Sequence, residues 1–367
     1  MNRAGKQKIM VLAALVAGTV AAGVVIFMIF RSNDPPSLGK QSLKIIQKAF
    51  SQDEYAARMV AVIAMGISHD PAVLPWLKTI VTDGPFSIRR LAVEASANFG
   101  SEIALPFFET AVTDPDASVR FAALSRLSDL KTDSGPPIAA KTIGDPDLSV
   151  RLISRAILGL DSHPNSLISF GEALRNPEED NREMAAIALG KTRDDRALPL
   201  LAEALNDPTA SVRVFAARAL GDLETDQAVP LLTRALEDRD PLVRFSAAAA
   251  LAHYGVEEGV TRLKGALADP DHGIRYAASR SLEELRWLGS SGFGTWAVPS
   301  FLPLLEDEFS HVRSTAVRAA GRLAQPDALP GLIKRLKDDD PPIRTYAAGA
   351  ILNILREEEL HKGTAAP

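Results

Sequence analysis

The chain has 367 residues, no cysteine, 6% aromatic residues and a formal net charge of −5. The absence of cysteine excludes disulfides and thiolate-bound metal centres, and the scarcity of aromatic residues disfavours a β-sandwich. Residues 1–31 contain four basic residues and no acidic one, which leaves a net charge of −9 on the rest of the chain. Because an acidic domain repels phosphate backbones, we expect no nucleic-acid partner.

A basic N-terminal segment, residues 1–8, precedes 22 uncharged and mostly apolar residues at positions 9–30. As a helix, residues 9–30 would extend about 33 Å and cross a hydrocarbon core of about 30 Å. A cleaved signal peptide is the alternative, but the apolar run continues beyond its candidate cleavage site. We therefore predict a transmembrane helix. The acid-free residues 1–8 favour the inner side, which gives a single-pass inner (plasma) membrane protein with its larger part on the periplasmic or extracellular side.

Residues 31–42 are rich in turn-forming residues and are predicted to be a linker. From residue 43 to residue 356, arginine recurs every 31 positions, with one insertion of seven residues. The register contains ten arginines, at positions 58, 89, 120, 151, 182, 213, 244, 275, 313 and 344. Six residues before each stands an aspartate, except at Gln52 and Asn176. A fixed period of this length is typical of a repeat architecture.

The repeating unit is clearest at residues 207–238, where Val212, Phe215, Ala216 and Leu220 follow a helical spacing. A second helix is predicted at residues 229–236. One such hairpin cannot bury its own apolar face, so neighbouring hairpins must stack. We predict an all-α protein, an α-solenoid of about ten helical hairpins preceded by one transmembrane helix. At 8–10 Å between layers it would form a curved rod about 80–100 Å long, followed by a polar tail at residues 357–367.

The pattern of residues 207–236, DPTASVRVFAARALGDLETDQAVPLLTRAL, resembles the HEAT-repeat family, specifically the short HEAT-like repeats of phycobilin lyase subunits. The resemblance covers most of residues 50–356. It implies the fold but no single function, because the family includes scaffolds, transport factors and enzyme accessories. It also implies that the turn aspartate and the arginine six residues later form a hydrogen-bonded ladder along the stack. The matching pairs here are Asp207/Arg213, Asp238/Arg244 and Asp269/Arg275.

No catalytic or metal-binding constellation is visible in the sequence. The six histidines are not paired at helical spacing and none precedes a glutamate. The HEAT-like deoxyhypusine hydroxylases bind a di-iron centre through His-Glu pairs, so their activity is not implied here. We therefore predict no enzyme activity, no catalytic residue, no metal and no cofactor, with the histidines at the surface.

The insertion, residues 286–297, is one candidate surface for a protein partner. It contains Trp287, Phe293 and Trp296. Aromatic residues on an inserted loop are plausible binding residues, because binding energy often concentrates on such side chains. The alternative is that they fold back and fill the widened gap between two repeats.

The outward stripe of the arginine-bearing helices, expected on the concave face, is the second candidate surface. Phe245 and Tyr276 follow the register arginine by one residue, and Arg218, Arg280 and Arg318 follow it by five. An apolar track with positive charge would suit an extended acidic or amphipathic peptide, and ordinary packing between repeats is the alternative. The leading hypothesis is a membrane-tethered protein-interaction scaffold. The alternative is an accessory subunit or enzyme of the HEAT-like lyase type that holds a prosthetic group or a substrate.

Overall fold

The computed structural model describes residues 35–364 except 53, 131, 160–166 and 284–293. Within these ranges the chain forms twenty α-helices in ten pairs and no strand. The first helices of the pairs are α1 (Pro35–Phe50), α3 (Leu74–Asp83), α5 (Ser101–Ala111), α7 (Gly135–Ala139), α9 (Ile168–Leu174), α11 (Leu198–Ala204), α13 (Val229–Ala235), α15 (Glu257–Leu267), α17 (Gly294–Phe301) and α19 (Leu329–Arg335). The second helices, which carry the register arginines, are α2 (Tyr55–Ser68), α4 (Phe86–Ser96), α6 (Ala117–Asp129), α8 (Leu148–Leu158), α10 (Glu179–Thr192), α12 (Ala210–Asp222), α14 (Pro241–His253), α16 (His272–Glu283), α18 (Ser310–Leu323) and α20 (Pro341–Thr364).

Short 3-10 turns lengthen several of these helices. They are Pro71–Val73, Ala97–Phe99, Ala140–Thr142, Asp195–Ala197, Asp226–Ala228, Pro303–Glu306 and Pro326–Ala328. The helix starts follow local rules. Asp240 caps α14 by accepting the amide of Leu242 at 2.8 Å, and Pro241 occupies the first turn, where its missing N–H costs nothing.

The two kinds of helix form two concentric layers. Consecutive second helices pack closely against one another, whereas consecutive first helices touch far less, so the arginine-bearing helices form the inner layer and the others the outer layer. The inner layer is alanine-rich, which permits this approach; Ala247 and Ala250 of α14 are fully buried. At Gly190 a Cβ would lie 2.8 Å from the Cα of Ala219 on the next inner helix. Gly190 therefore marks a close approach of two inner helices that a larger side chain would prevent.

The two ends of the solenoid meet and close it into a ring. The last inner helix, α20, packs along the first inner helix, α2, and the outer helix α1 lies against α20. A Cβ at Gly349 would lie 2.4 Å from the carbonyl oxygen of Ala64. Arg356 donates from Nη1 to the carbonyl of His69 at 2.7 Å, across 287 positions of sequence. Because the two ends are in contact, the predicted curved rod is wrong. With ten inner helices about 9 Å apart, the inner layer has a diameter of about 30 Å.

Each inner helix begins on the same face of the ring, which we call the ladder face, and ends on the opposite face. We call the joint between α20 and α2 the seam. Helix α1 runs from Pro35 on the opposite face to Phe50 beside the ladder-face turn that leads into α2.

Two predicted boundaries differ from the structure. Residues 35–42, assigned to the linker, belong to α1, because Pro35 and Pro36 stand where a helix tolerates proline and Leu38 is buried. Residues 357–364, assigned to the tail, continue α20. The predicted transmembrane residues 9–30 lie outside the described residues. Among the residues that are described, no helix is long and apolar enough to cross a bilayer.

Candidate functional site

An arginine at the start of an inner helix ties two neighbouring repeats together on the ladder face. Arg213 donates from Nη1 to the backbone carbonyls of Asp207 at 2.9 Å and Pro208 at 3.2 Å, in its own repeat. Its Nε and Nη2 donate to the two carboxylate oxygens of Asp238, in the next repeat, at 2.8 and 2.9 Å. The planar guanidinium therefore joins two turns at once.

We call each such link between two neighbouring repeats a step of the ladder. The aspartate of each step accepts a third hydrogen bond. Asp238 Oδ1 also accepts the amide of Asp240 at 2.8 Å. Burial opposes ionisation, but the bonds from Arg213 and from the Asp240 amide hold the pKa of Asp238 below its usual value. The bond to Asp238 in turn raises the pKa of Arg213. We call the arrangement of Nε, Nη2 and the turn amide a carboxylate seat.

Six steps of the ladder have this seat filled by aspartate. They are Arg89–Asp114, Arg120–Asp145, Arg182–Asp207, Arg213–Asp238, Arg275–Asp307 and Arg313–Asp338, with N–O distances of 2.6 to 3.1 Å. Each arginine thus bonds a backbone carbonyl of the turn in its own repeat and the carboxylate of the aspartate in the next.

Three register arginines have no carboxylate partner among the described residues: Arg151, Arg244 and Arg344. Arg151 faces the repeat in which Asn176 replaces aspartate. Arg244 donates to the carbonyl of Asp238 at 2.8 Å but makes no bond to Asp269. Arg344 donates only from Nη1, to the carbonyls of Asp338 and Asp339 at 2.6 and 3.1 Å.

A cavity of about 580 Å³ opens beside Arg344 at the seam. Around it the polar side chains are Lys48, Gln52, Glu54, Arg344 and Thr345, and the apolar ones include Ile45, Ala49, Val60 and Leu336. Gln52 stands at the position that aspartate occupies in eight of the ten repeats. Arg344 therefore meets no carboxylate at that position of the first repeat.

A larger groove of about 730 Å³ lies on the inner layer between α4 and α12. Half-buried apolar side chains form its floor: Phe121, Met184, Ile187 and Phe215. Its charged lining residues are Arg90, Arg126, Glu94, Asp147, Glu178 and Asp180. Four carboxylates against two guanidinium groups make the groove acidic.

The predicted apolar track on the concave face is largely buried. Phe245 is only 8% exposed and belongs to the hydrophobic core, so it offers little surface to a partner. Tyr276 is half-buried, and its ring lies 5.1 Å from that of His311.

The three predicted arginines of that track contact the protein itself. Arg218 lies 5.5 Å above the ring of Phe215. Arg280 donates to the hydroxyl of Tyr276 at 3.4 Å. Arg318 forms an ion pair with Glu283 at 2.9 Å and lies 5.1 Å above the ring of Tyr346. These contacts hold the arginines against the inner wall.

Of the aromatic residues in the insertion, Trp287 and Phe293 lie outside the described residues. Trp296 is on α17, half-buried against the core, with the ammonium of Lys264 5.9 Å from its ring. The packing alternative therefore describes Trp296 in this structure, and its role in binding remains a prediction.

Two charged or titratable clusters were not visible in the sequence. His272 Nδ1 lies 3.2 Å from His311 Nε2, although the two residues are 39 positions apart. The ammonium of Lys191 lies 2.9 Å from Asp222 and 3.3 Å from Asp129, and burial lowers the pKa of this lysine. The repeat register places His272 and His311 on neighbouring inner helices, and Asp129, Lys191 and Asp222 at equivalent helix positions, but it does not give these distances.

The chain belongs to the HEAT-repeat family. The family model for HEAT repeats matches residues 135–213, 201–283 and 285–353, more than half of the chain. None of the curated proteins matches it.

Several solved structures are similar in fold class. An engineered protein is 18% identical, with 86% of this chain and 98% of that chain covered and a TM-score of 0.29. The complex of CpcE and CpcF of phycocyanin lyase from Nostoc sp. PCC7120 is 20% identical, with 76% and 92% covered and a TM-score of 0.36. Human deoxyhypusine hydroxylase in complex with glycerol is 21% identical, with 73% and 99% covered and a TM-score of 0.33. At these TM-scores, none of the three supports an argument about function.

Proposed function

We propose that this protein is a membrane-tethered, ring-shaped scaffold that binds an amphipathic segment of a partner protein in the groove of its inner layer. The observation that carries the proposal is the half-exposed apolar floor of Phe121, Met184, Ile187 and Phe215 between charged walls. Helical proteins bind amphipathic peptides in grooves that have an apolar floor and charged edges. Since the walls are acidic, the segment carries basic rather than acidic side chains.

Site-specific photo-crosslinking in native membranes tests the groove. A photoreactive amino acid at Ser118, which is exposed in the groove, is compared with one at Thr82, which is exposed in a groove of the outer layer. We expect a discrete crosslinked protein only from position 118. The additional change Met184→Arg should remove that product while the melting temperature is retained, because it places a positive charge against a basic segment. Equal yields from both positions, or a product unaffected by Met184→Arg, would refute the groove as the binding site.

Membrane tethering through residues 9–30 is supported by the length and apolarity of that segment. We expect the full-length chain to remain in the membrane pellet after alkaline carbonate extraction. Reporter enzymes joined after residue 34 should be active only when the reporter functions on the periplasmic or extracellular side. Activity only from a cytoplasmic reporter would reverse the orientation, and release by carbonate would exclude the anchor.

The alternative, an accessory subunit that holds a prosthetic group, would use the same groove, whose volume of about 730 Å³ is within the usual range for small-molecule sites. Protein purified from its native membrane would then carry an absorbing or fluorescent group. Loss of that group from the Met184→Arg variant would favour this second function over a peptide partner.

A further inference from the structure

The seam repeats the geometry of the ladder with one component missing. In six steps, an arginine Nε and Nη2 and a turn amide converge on an aspartate carboxylate. At the seam the arginine is Arg344 and the corresponding turn begins at Gln52. Nε and Nη2 of Arg344 make no hydrogen bond within the described residues, and neither does the amide of Glu54, which is the counterpart of the Asp240 amide.

The longer side chain of Gln52 does not replace the aspartate. Gln52 is exposed, and its backbone carbonyl accepts a hydrogen bond from Nε of Arg58 at 2.8 Å. An amide is also neutral and offers one acceptor oxygen, whereas a carboxylate offers two to the fork of a guanidinium. The donors of the seat are thus left available to a carboxylate from outside the ring.

Of the three ladder arginines without a carboxylate partner among the described residues, Arg344 lines the seam cavity of about 580 Å³. One wall of the cavity is apolar, formed by Ile45, Ala49, Val60 and Leu336. Lys48 adds a second positive charge, and Glu54 adds a negative one. The site therefore combines a donor fork for one carboxylate with an adjacent apolar surface, in a domain that is otherwise acidic.

We propose that the seam cavity binds the C-terminal residue of a partner protein, with the terminal carboxylate in the seat of Arg344 and an apolar side chain against Ile45, Val60 and Leu336. A C-terminal residue carries both groups on one Cα, which matches the adjacency of the fork and the apolar wall. It also brings a single negative charge, whereas an acidic stretch would be repelled by Glu54 and by the net charge of the domain. This site lies apart from the inner groove and does not depend on the function proposed for it.

Fluorescence polarisation with the full-length protein in detergent tests the site. The probes are labelled heptapeptides of mixed sequence that end in leucine, with either a free or an amidated C-terminus. We expect binding of the free form and at least tenfold weaker binding of the amide. Arg344→Ala should weaken binding of the free form at least tenfold, whereas Arg151→Ala, which alters a ladder arginine that also lacks a carboxylate, should leave it unchanged. Equal binding of the free and amidated peptides would overturn the proposal.

A second variant tests whether the seat is vacant. Gln52→Asp should restore the missing carboxylate. We therefore expect this one change both to raise the melting temperature and to abolish peptide binding. Asp53 follows Gln52 in the sequence, so its carboxylate is tested as a competitor for the seat. If Asp53→Asn lowers the melting temperature as much as Arg344→Ala and no peptide binds the unmodified protein, the chain fills its own seat and the proposal is wrong. If Gln52→Asp binds the free peptide as before, the seat is not the binding site.

Discussion

Two joints of the ring can be compared directly: the joint between α12 and α14, and the seam between α20 and α2. Both join consecutive inner helices of the repeat, but different contacts hold them together. Between α12 and α14, the ladder face is tied by Arg213 and Asp238, and the opposite face by Tyr254, which donates to the carbonyl of Leu220 at 2.7 Å. At the seam, the opposite face is tied by Arg356 and by the close contact of Gly349 with α2. On its ladder face, no carboxylate of a described residue pairs with Arg344, and a cavity opens beside this arginine.

The ring is thus closed although the seam lacks the arginine–aspartate pair of the other steps, so closure does not require a complete ladder. The described contacts that close it include helix packing between α20 and α2 and the hydrogen bond from Arg356 to His69. Four predictions follow from this contrast.

The largest effect is expected from removing a paired ladder arginine. Arg213→Ala should lower the free energy of unfolding by about 4 kcal/mol, because it leaves the buried carboxylate of Asp238 without its charged partner. Arg344→Ala removes only bonds to two carbonyls and should cost about 1 kcal/mol. Chemical denaturation of both variants measures the two values. Equal losses would mean that the carboxylate adds nothing to a ladder step.

Acidification should weaken the seam before it weakens the ladder. Burial, followed by the charges of Arg356 and Arg322, lowers the pKa of His69 to about 4. Since the unfolded chain has the higher pKa, about 6.5, stability should be complete above pH 6.5 and fall by up to about 3 kcal/mol as the pH drops to 4. Five ladder carboxylates have lowered pKa values and protonate at still lower pH: Asp145, Asp207, Asp238, Asp307 and Asp338.

The control for this pH effect is His69→Asn, because asparagine tolerates the left-handed backbone of residue 69 (φ 49°). Melting curves of both proteins between pH 7 and pH 4 give the comparison. The prediction fails if the variant loses as much stability over this range as the unmodified protein.

A methyl group at the seam should open the ring. Gly349→Ala places a Cβ 2.4 Å from the carbonyl oxygen of Ala64, and such overpacking should cost about 2 kcal/mol. Small-angle scattering should then report a larger radius of gyration with unchanged helicity. Gly265→Ala is the matched control, since nothing lies within 4 Å of the added methyl. An unchanged radius for Gly349→Ala would show that the joint yields without opening.

The smallest effect is expected on the outer layer. Arg262 and Glu237 form an ion pair at 2.7 Å whose side chains are 44% and 72% exposed. Solvent screens such a pair, so a double-mutant cycle should give less than about 0.5 kcal/mol of coupling. A coupling as large as that of Arg213 with Asp238 would contradict the distinction between ladder and surface pairs.

The sequence predicted the repeat unit and its register well, because both depend on local spacing. The ten arginines lie at the starts of the ten inner helices described here, and Val212, Ala216 and Leu220 are buried. Closure was not predictable in the same way. Ten repeats close only if each turns the stack by about 36°, and that angle depends on how alanine and glycine pack between helices.

The candidate sites were predicted less well for the same reason. In the curved stack, Phe245 is buried and Arg318 contacts Glu283 and Tyr346. A flat stack would have left Phe245 and Arg318 on an open surface. The exception at Gln52 was visible in the register. Its consequence depends on Arg344, which is 292 positions away along the chain and adjacent only in a closed ring.

The direction of α1 sets how the ring would stand on a membrane. Helix α1 starts on the face opposite the ladder, and only residues 31–34 separate its first residue from the predicted span. Four residues reach at most about 14 Å. In the tethered arrangement proposed above, this short connection keeps the ring close to the membrane. The ends of its inner helices then face the lipid headgroups. The ladder face, with the seam cavity, then points into the aqueous compartment, where a partner would meet it first.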